Sequence, residues 1–212
     1  MRLLTSPNAS ADAKMVCAGT SAFPADQVHR IAVLDMRLGN TDRNGSNVLA
    51  KRHRASGEWV LTPIDHGYCL PASFEDLQFE WIGWKQAAVP FSEATRAYVA
   101  GLDAEADLAR LAENGVRLRP ECVRVFRACT MLLQKGVAAG LTARELGDVF
   151  CRQTRSKSAL EKLSARALQL TAAEQLGIAR WTPGRAAEHA DALPLEAYLG
   201  HLGRVFDEFF SN

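Results

Sequence analysis

The chain has 212 residues, a formal net charge of +1 and a hydrophobic fraction of 48%. These values are typical of one globular unit, and a charge so close to zero gives no overall attraction to nucleic acid or to anionic lipid. The sequence contains no apolar run of about eighteen residues, so any membrane contact is expected to be peripheral and the expected location is the cytoplasm.

Cysteine use excludes two further classes of protein. The chain has five cysteines, and no two of them form a C-x-x-C pair. An odd number without that spacing predicts reduced thiols rather than a disulfide framework or a zinc site. Cys122 and Cys129 are seven residues apart and are expected to share one buried helix face.

The first part of the chain predicts a small β-hairpin that follows an irregular segment. Residues 1–22 show no apolar periodicity and are expected to be irregular or disordered. Ile31–Leu34 and Glu58–Ile64 are rich in branched apolar residues and predict short strands, while Arg54–Gly57 predicts a turn after the stretch Val48–His53. With the helices expected downstream, the predicted fold class is α+β and predominantly helical.

Polar residues suited to phosphoryl transfer flank this hairpin. Asp42 lies five residues before Asn47, which is the D-x-x-x-x-N spacing of a kinase catalytic loop, and Asp65 opens an Asp-X-Gly tripeptide downstream. In such enzymes one carboxylate orients the attacking hydroxyl, while amide and carboxylate oxygens hold Mg²⁺ against the phosphates of ATP. We therefore expect Asp42 to be catalytic and Asn47 and Asp65 to bind nucleotide and Mg²⁺. Arg43 is also placed among the catalytic residues, since help with phosphate charge at this point must come from Arg43 or from elsewhere.

Two alternatives apply to the same residues. The run Asn40-x-Asp42-x-Asn44-Gly45 begins like an EF-hand calcium loop, but its twelfth position would be Lys51, where a bidentate glutamate is needed. The other alternative is an ordinary turn, since Asn, Asp and Gly are common turn residues. The ordered pair of motifs, with Asp65 downstream, favours the kinase interpretation over both.

Beyond Pro90 the sequence predicts helices whose ends are marked by capping residues. Ser92 and Asp103 are N-cap candidates, and Asn114-Gly115 ends the segment that Asp103 begins. Pro120 begins a long core helix that Gly140 ends.

Three further helices are predicted after this core helix. Thr142 to Glu145 has the pattern of a capping box, and Ser158 begins an amphipathic helix. Pro183-Gly184 separates that helix from a last one that carries Leu195 to Phe209 at helical spacing.

The aromatic segment between Asp65 and Pro90 is where a kinase would line its acceptor site. Trp81 and Trp84 could enter a lipid interface, but aromatic residues at such spacing more often anchor a loop to the core, and we expect core packing. His66 is expected to be a packing residue.

A helix-turn-helix is the competing interpretation of the later segment, from Leu141–Leu146 and the basic stretch Arg152–Lys162. The basic residues are interleaved with apolar ones, as on any solvated helix, and no recognisable turn joins the two segments. The sequence therefore predicts no nucleic-acid partner.

Five segments of the chain carry a family resemblance, and they are Leu34–Arg43, Pro63–Pro71, Phe79–Trp84, Ser92–Leu102 and Leu118–Leu133. The most specific piece is Asp65-His-Gly-Tyr-Cys-Leu-Pro71, and the resemblance extends over Phe23–Cys151. These segments resemble the phosphatidylinositol 3-/4-kinase superfamily, most closely the gamma branch of the type II phosphatidylinositol 4-kinases.

The resemblance implies a kinase that uses ATP and Mg²⁺ and phosphorylates the inositol 4-hydroxyl of phosphatidylinositol in membranes. It implies a protein-kinase-like C-terminal lobe at residues 23–151, followed by a helical extension at 152–212. Only about thirty residues precede the catalytic block, without a Gly-rich loop or a strand lysine, so an N-terminal lobe is not expected within this chain. Open alternatives are a protein Ser/Thr kinase of the same fold and an inactive remnant lobe that binds nucleotide or serves as an interaction module.

Overall fold

The computed structural model describes residues 20–75, 77–177 and 192–211, and within them the expected mainly helical α+β fold is confirmed. One antiparallel two-stranded sheet is present in these ranges. Short 3₁₀ turns connect several of the elements. The helices are α1 Ala25–Leu38, α2 Glu93–Ala100, α3 Ala104–Glu113, α4 Pro120–Ala138, α5 Ala143–Phe150, α6 Ala159–Leu176 and α7 Leu195–Phe210, and the strands are β1 Val48–Arg52 and β2 Trp59–Pro63.

The predicted strand at Ile31–Leu34 is wrong, because these residues lie inside helix α1. A short apolar run fits a buried helix as well as a strand, and here Ile31 to Val33 are buried against the rest of the core. The helix ends at Gly39, which has a φ of 58° and the left-handed conformation common at helix C-termini. The polar loop that begins at Asn40 therefore starts directly at the end of a buried helix.

The hairpin agrees with the predicted strand at Glu58–Ile64 and with the predicted turn before it. Strands β1 and β2 pair from Val48↔Pro63 to Arg52↔Trp59, so the hairpin opens towards the loops on either side of it. Helix α1 supports β2 through Gln27, whose amide nitrogen donates to the Trp59 carbonyl at 2.6 Å. The amide oxygen of Gln27 accepts from the Leu61 N–H at 2.6 Å.

The predicted helix starts are confirmed in the later part of the chain. Ser92 and Asp103 accept hydrogen bonds from the first turns of α2 and α3, and Pro120 is the first residue of α4. Thr142 and Ser158 each form a full capping box. Pro183-Gly184 lies outside the described residues.

The core joins these helices to the loops after the hairpin. Helix α7 packs on α6 and on the long helix α4, while α5 packs on the 3₁₀ turn Glu80–Gly83. Trp81 and Trp84 are buried in this core, as expected. Cys122 and Cys129 are also buried, and the four cysteines in the described ranges are free thiols, in agreement with the sequence. Across the described helices, none is both long and apolar enough to span a bilayer.

Candidate active site

The loop between α1 and β1 brings Asp42 and Asn47 into direct contact. The Asn47 side-chain nitrogen donates to the Asp42 carbonyl at 2.9 Å and to the carboxylate oxygen Oδ2 of Asp42 at 3.3 Å. Asn44 donates to the other carboxylate oxygen at 2.8 Å, and Asn40 accepts from the Asp42 N–H at 2.9 Å. These bonds hold a partly exposed carboxylate in one orientation.

Asp65 lies at the same end of the hairpin as Asn47, directly after β2. The Ile64 N–H donates to the Asn47 carbonyl at 2.9 Å, which joins the two loops next to both candidate ligands. Asp65 is exposed and has a φ of 54°, a left-handed conformation that non-glycine residues rarely adopt and that often marks functional sites. Gly67 lies close to its carboxylate, since a Cβ there would be 3.5 Å from Asp65 Oδ1.

Arg43 connects these two loops from inside the protein. Its side chain is 1% exposed, and Nε donates to both carboxylate oxygens of Asp35, at 2.9 and 3.0 Å. Nη1 donates to the Asn47 carbonyl at 2.6 Å and to the Ile64 carbonyl at 2.9 Å. The guanidinium therefore faces the interior, which corrects the expectation that it neutralises phosphate charge. This geometry suits a residue that positions the loops.

His66 departs from its expected role as a packing residue. It is exposed, and its Nδ1 lies 3.3 Å from Nη2 of Arg43. The histidine therefore lies on the solvent side of Arg43, next to Nη2, the guanidinium nitrogen that does not bond Asp35, Asn47 or Ile64.

Sequence reasoning missed Asp35, the buried counter-charge of Arg43. Its side chain is 0% exposed and also accepts hydrogen bonds from Asn40 Nδ2 and Trp81 Nε1, each at 3.0 Å. Burial raises the pKa of Asp35, whereas the guanidinium of Arg43 and these hydrogen bonds oppose the rise. The available signal was a lone carboxylate inside the apolar stretch Ile31–Met36, because buried charges are normally paired.

The segment after Asp65 is fixed by its backbone against the loop that contains Asp42. The Tyr68 carbonyl accepts from the N–H of Thr41 at 3.1 Å and from its hydroxyl at 3.2 Å. The Leu70 N–H donates to the Leu38 carbonyl at 2.7 Å. Farther along, the backbone of Arg43 forms a parallel β-bridge with Phe79. The loop that contains Asp42 is therefore bonded to the chain at Tyr68 on one side and at Phe79 on the other.

The oxygen donors at this end of the hairpin suit Mg²⁺. Asn47 uses its amide nitrogen on Asp42, which leaves its oxygen Oδ1 for a cation, and Asp65 adds an exposed carboxylate. Magnesium prefers such hard oxygen ligands, few in number, and takes its other ligands from water and phosphate. In the described ranges, no group of three or more His, Cys, Asp and Glu residues is placed to hold a metal.

Comparison with known proteins agrees with this chemistry. Residues 4–146 match the family model described as phosphatidylinositol 3- and 4-kinase, and this range contains the whole site. Phosphatidylinositol 4-kinase gamma 3 of Arabidopsis thaliana is 49% identical over 146 residues, which cover 68% of this chain and 25% of the relative. Phosphatidylinositol 4-kinase gamma 4 of Oryza sativa subsp. japonica is 49% identical over 139 residues, covering 66% and 24%.

A third relative matches more of the chain. Phosphatidylinositol 4-kinase gamma 6 of Arabidopsis thaliana is 41% identical over 209 residues, which cover 92% of this chain and 33% of the relative. The chain thus spans between about a quarter and a third of the length of these relatives. The resemblance noted in the sequence is confirmed, and the chain belongs to the phosphatidylinositol 3- and 4-kinase family.

Proposed function

We propose that this chain carries the catalytic and metal-binding loops of a lipid kinase that transfers the γ-phosphoryl group of ATP to the inositol headgroup of phosphatidylinositol. The observation that carries the proposal is the direct contact of Asp42 with Asn47, together with the backbone bond that joins Asn47 to the residue before Asp65. The described fold then corresponds to the C-terminal lobe of a kinase. The names of the relatives support phosphatidylinositol as the acceptor.

Each of the three polar side chains has one task in this proposal. Asp42, held by Asn44 and Asn47, accepts a hydrogen bond from the attacking hydroxyl, orients it and takes its proton during transfer. Asn47 and Asp65 would hold Mg²⁺, which supplies charge neutralisation at the phosphates when bound. Arg43 bonds the carbonyls of Asn47 and Ile64 and so fixes the positions of the two loops relative to each other, which is a geometric contribution.

The outward face of the hairpin supports a position for the base of ATP. Leu49 and Val60 are both exposed on this face, because side chains alternate along a strand and the opposite face carries the buried Leu61. Leu49 comes two residues after Asn47, so a nucleotide whose phosphates lie at Asn47 and Asp65 can place its base on this face. An exposed aliphatic surface beside a phosphate site is suited to a flat, largely apolar ring.

Nucleotide binding tests the metal site. The wild-type chain is expected to bind ATP more tightly with Mg²⁺ than with a chelator, as measured by isothermal titration calorimetry. Asp65→Asn and Asn47→Ala should remove most of that metal dependence. Asp26→Asn, which neutralises an exposed carboxylate at the other end of α1, serves as the matched control. The proposal fails if Asp65→Asn and Asp26→Asn show the same metal dependence as the wild type.

Turnover tests the role of Asp42 and the choice of acceptor. Labelled ATP is offered with phosphatidylinositol vesicles and, separately, with a protein acceptor. Asp42→Ala is expected to lower transfer to the lipid by at least about a hundredfold, the low end for loss of a general base, while ATP affinity stays close to wild type. Transfer to the protein acceptor alone would favour the protein-kinase alternative, and binding without any turnover would favour the remnant lobe.

A further inference from the structure

Of the aromatic residues described between Asp65 and Phe91, Tyr68 is the exposed one. The residue is 64% exposed, the highest value among the large hydrophobic residues of the described ranges. Trp81 and Trp84, from the same segment, are buried in the core. The other aromatic residues between 68 and 91 are buried or packed against the core, and they are Phe74, Phe79 and Phe91.

The backbone beneath this ring is fixed. Two hydrogen bonds from Thr41 hold the Tyr68 carbonyl, and Thr41 immediately precedes Asp42. Asp65 and Leu70, on either side of Tyr68, have φ values of 54° and 57°, and in the described part of the chain no other non-glycine residue has a positive φ. Such strained conformations persist only where their surroundings impose them, so the position of Tyr68 relative to Asp42 is set by the fold.

An exposed aromatic ring whose backbone is bonded to the residue before Asp42 is suited to binding a substrate ring. Inositol carries hydroxyl groups around its edge, but its ring C–H groups form an apolar face that can lie on an aromatic ring. With one face of the inositol against Tyr68, a hydroxyl at its edge can point towards Asp42. In the proposed function the ATP base lies elsewhere, on the outward face of the hairpin that carries Leu49 and Val60.

We propose that Tyr68 is an acceptor-binding residue whose ring packs against the inositol ring of the phosphatidylinositol headgroup and presents one hydroxyl to Asp42. This inference rests on the proposed function and adds the residue that selects the acceptor. The phenol hydroxyl is not required, since the contact is made by the ring face. Phenylalanine should therefore replace tyrosine, whereas alanine should not.

Binding of the headgroup alone gives the first test. Glycerophosphoinositol, which lacks acyl chains, is added to the full chain with Mg²⁺ and a non-hydrolysable ATP analogue, and its affinity is measured by saturation-transfer difference NMR. Tyr68→Ala is expected to weaken binding by about fivefold to tenfold, and Tyr68→Phe by less than about twofold. The matched control is Tyr98→Ala, which removes a tyrosine that is 60% exposed on α2 and should leave binding unchanged.

Kinetics give the second test. With phosphatidylinositol vesicles, Tyr68→Ala should raise KM for the lipid and leave KM for ATP unchanged. The inference is overturned if the wild type does not bind glycerophosphoinositol, or if Tyr68→Ala behaves like Tyr98→Ala. An effect seen with vesicles but not with glycerophosphoinositol also overturns it, because the ring would then contact the bilayer. Retained Mg²⁺-dependent ATP binding in these cases would leave the proposed function standing.

Discussion

Removal of the Arg43 guanidinium is expected to destabilise the protein far more than removal of a surface arginine. In Arg43→Met the carboxylate of Asp35 stays buried, at 0% exposure, without its counter-charge. Loss of one partner of a buried ion pair costs about 3–5 kcal/mol of unfolding free energy, because a lone charge remains in the interior. The carbonyls of Asn47 and Ile64 lose a donor in the same substitution, so the upper part of that range is expected.

The assay is urea unfolding followed by circular dichroism, together with a thermal scan. For a chain of this size, 1 kcal/mol corresponds to a change in Tm of about 2–4 °C, so a loss of about 4–5 kcal/mol should lower Tm by about 8–20 °C. Arg127→Met is the matched control. Arg127 pairs with Glu105 and Glu196, which are both largely exposed, and its loss should cost about 0–1 kcal/mol.

A second substitution separates loss of charge balance from loss of packing. Asp35→Asn combined with Arg43→Met leaves no charge in this cluster, and the amide oxygen introduced by Asp35→Asn can still accept from Trp81. The double variant should therefore be more stable than Arg43→Met alone. If Arg43→Met is no less stable than Arg127→Met, or if the double variant recovers nothing, the assigned role of the pair is wrong.

The remaining predictions concern packing and pH. Gly147→Ala should cost about 1–3 kcal/mol of unfolding free energy by urea titration, because its Cβ would be 2.6 Å from Ile82 Cγ1. Gly200→Ala, in open space within α7, should instead raise stability by about 0.5–1 kcal/mol. Burial alone would raise the pKa of Glu161, but hydrogen bonds from Arg152 and from the helix start outweigh it and lower the pKa. The stabilisation that the Glu161 carboxylate gives the folded state should be complete above pH 4.5, its ordinary pKa, and lost as pH falls through the lower folded-state pKa. The difference in stability between wild type and Glu161→Gln should therefore shrink in acid. Equal differences at neutral and acidic pH would contradict this assignment.

Local signals explain what the sequence predicted correctly. The starts of α2 and α3 were readable because Ser92 and Asp103 bond N–H groups only two or three residues away. The contact of Asp42 with Asn47 is equally local, since a five-residue spacing within one loop sets it, while the catalytic roles of the two residues stay a prediction. The turn of the hairpin followed from Gly57 and its polar neighbours for the same reason.

Contacts between distant residues explain what the sequence did not predict. The apolar run Ile31–Leu34 fits a strand or a buried helix, and only the surrounding core makes it helical. Arg43 carries a charge that suggested phosphate binding, but its partners include Ile64, twenty-one positions away, and only the fold shows that they meet in the interior. The sequence likewise does not show that Trp81 and Trp84 are buried in the core while Tyr68 stays exposed, because this depends on how the folded segment packs.

The amide of Gln27 has a consequence for how the small sheet behaves in solution. A glutamine side chain offers the same donor and acceptor as a peptide group, and Gln27 uses both of them on Trp59 and Leu61 of β2. It thus fills the place where a further strand from another molecule could pair. A single helical residue thus blocks intermolecular β-pairing at the outer edge of β2. In Gln27→Leu the Trp59 carbonyl and the Leu61 N–H would lose these partners, and the edge could pair with another molecule and aggregate.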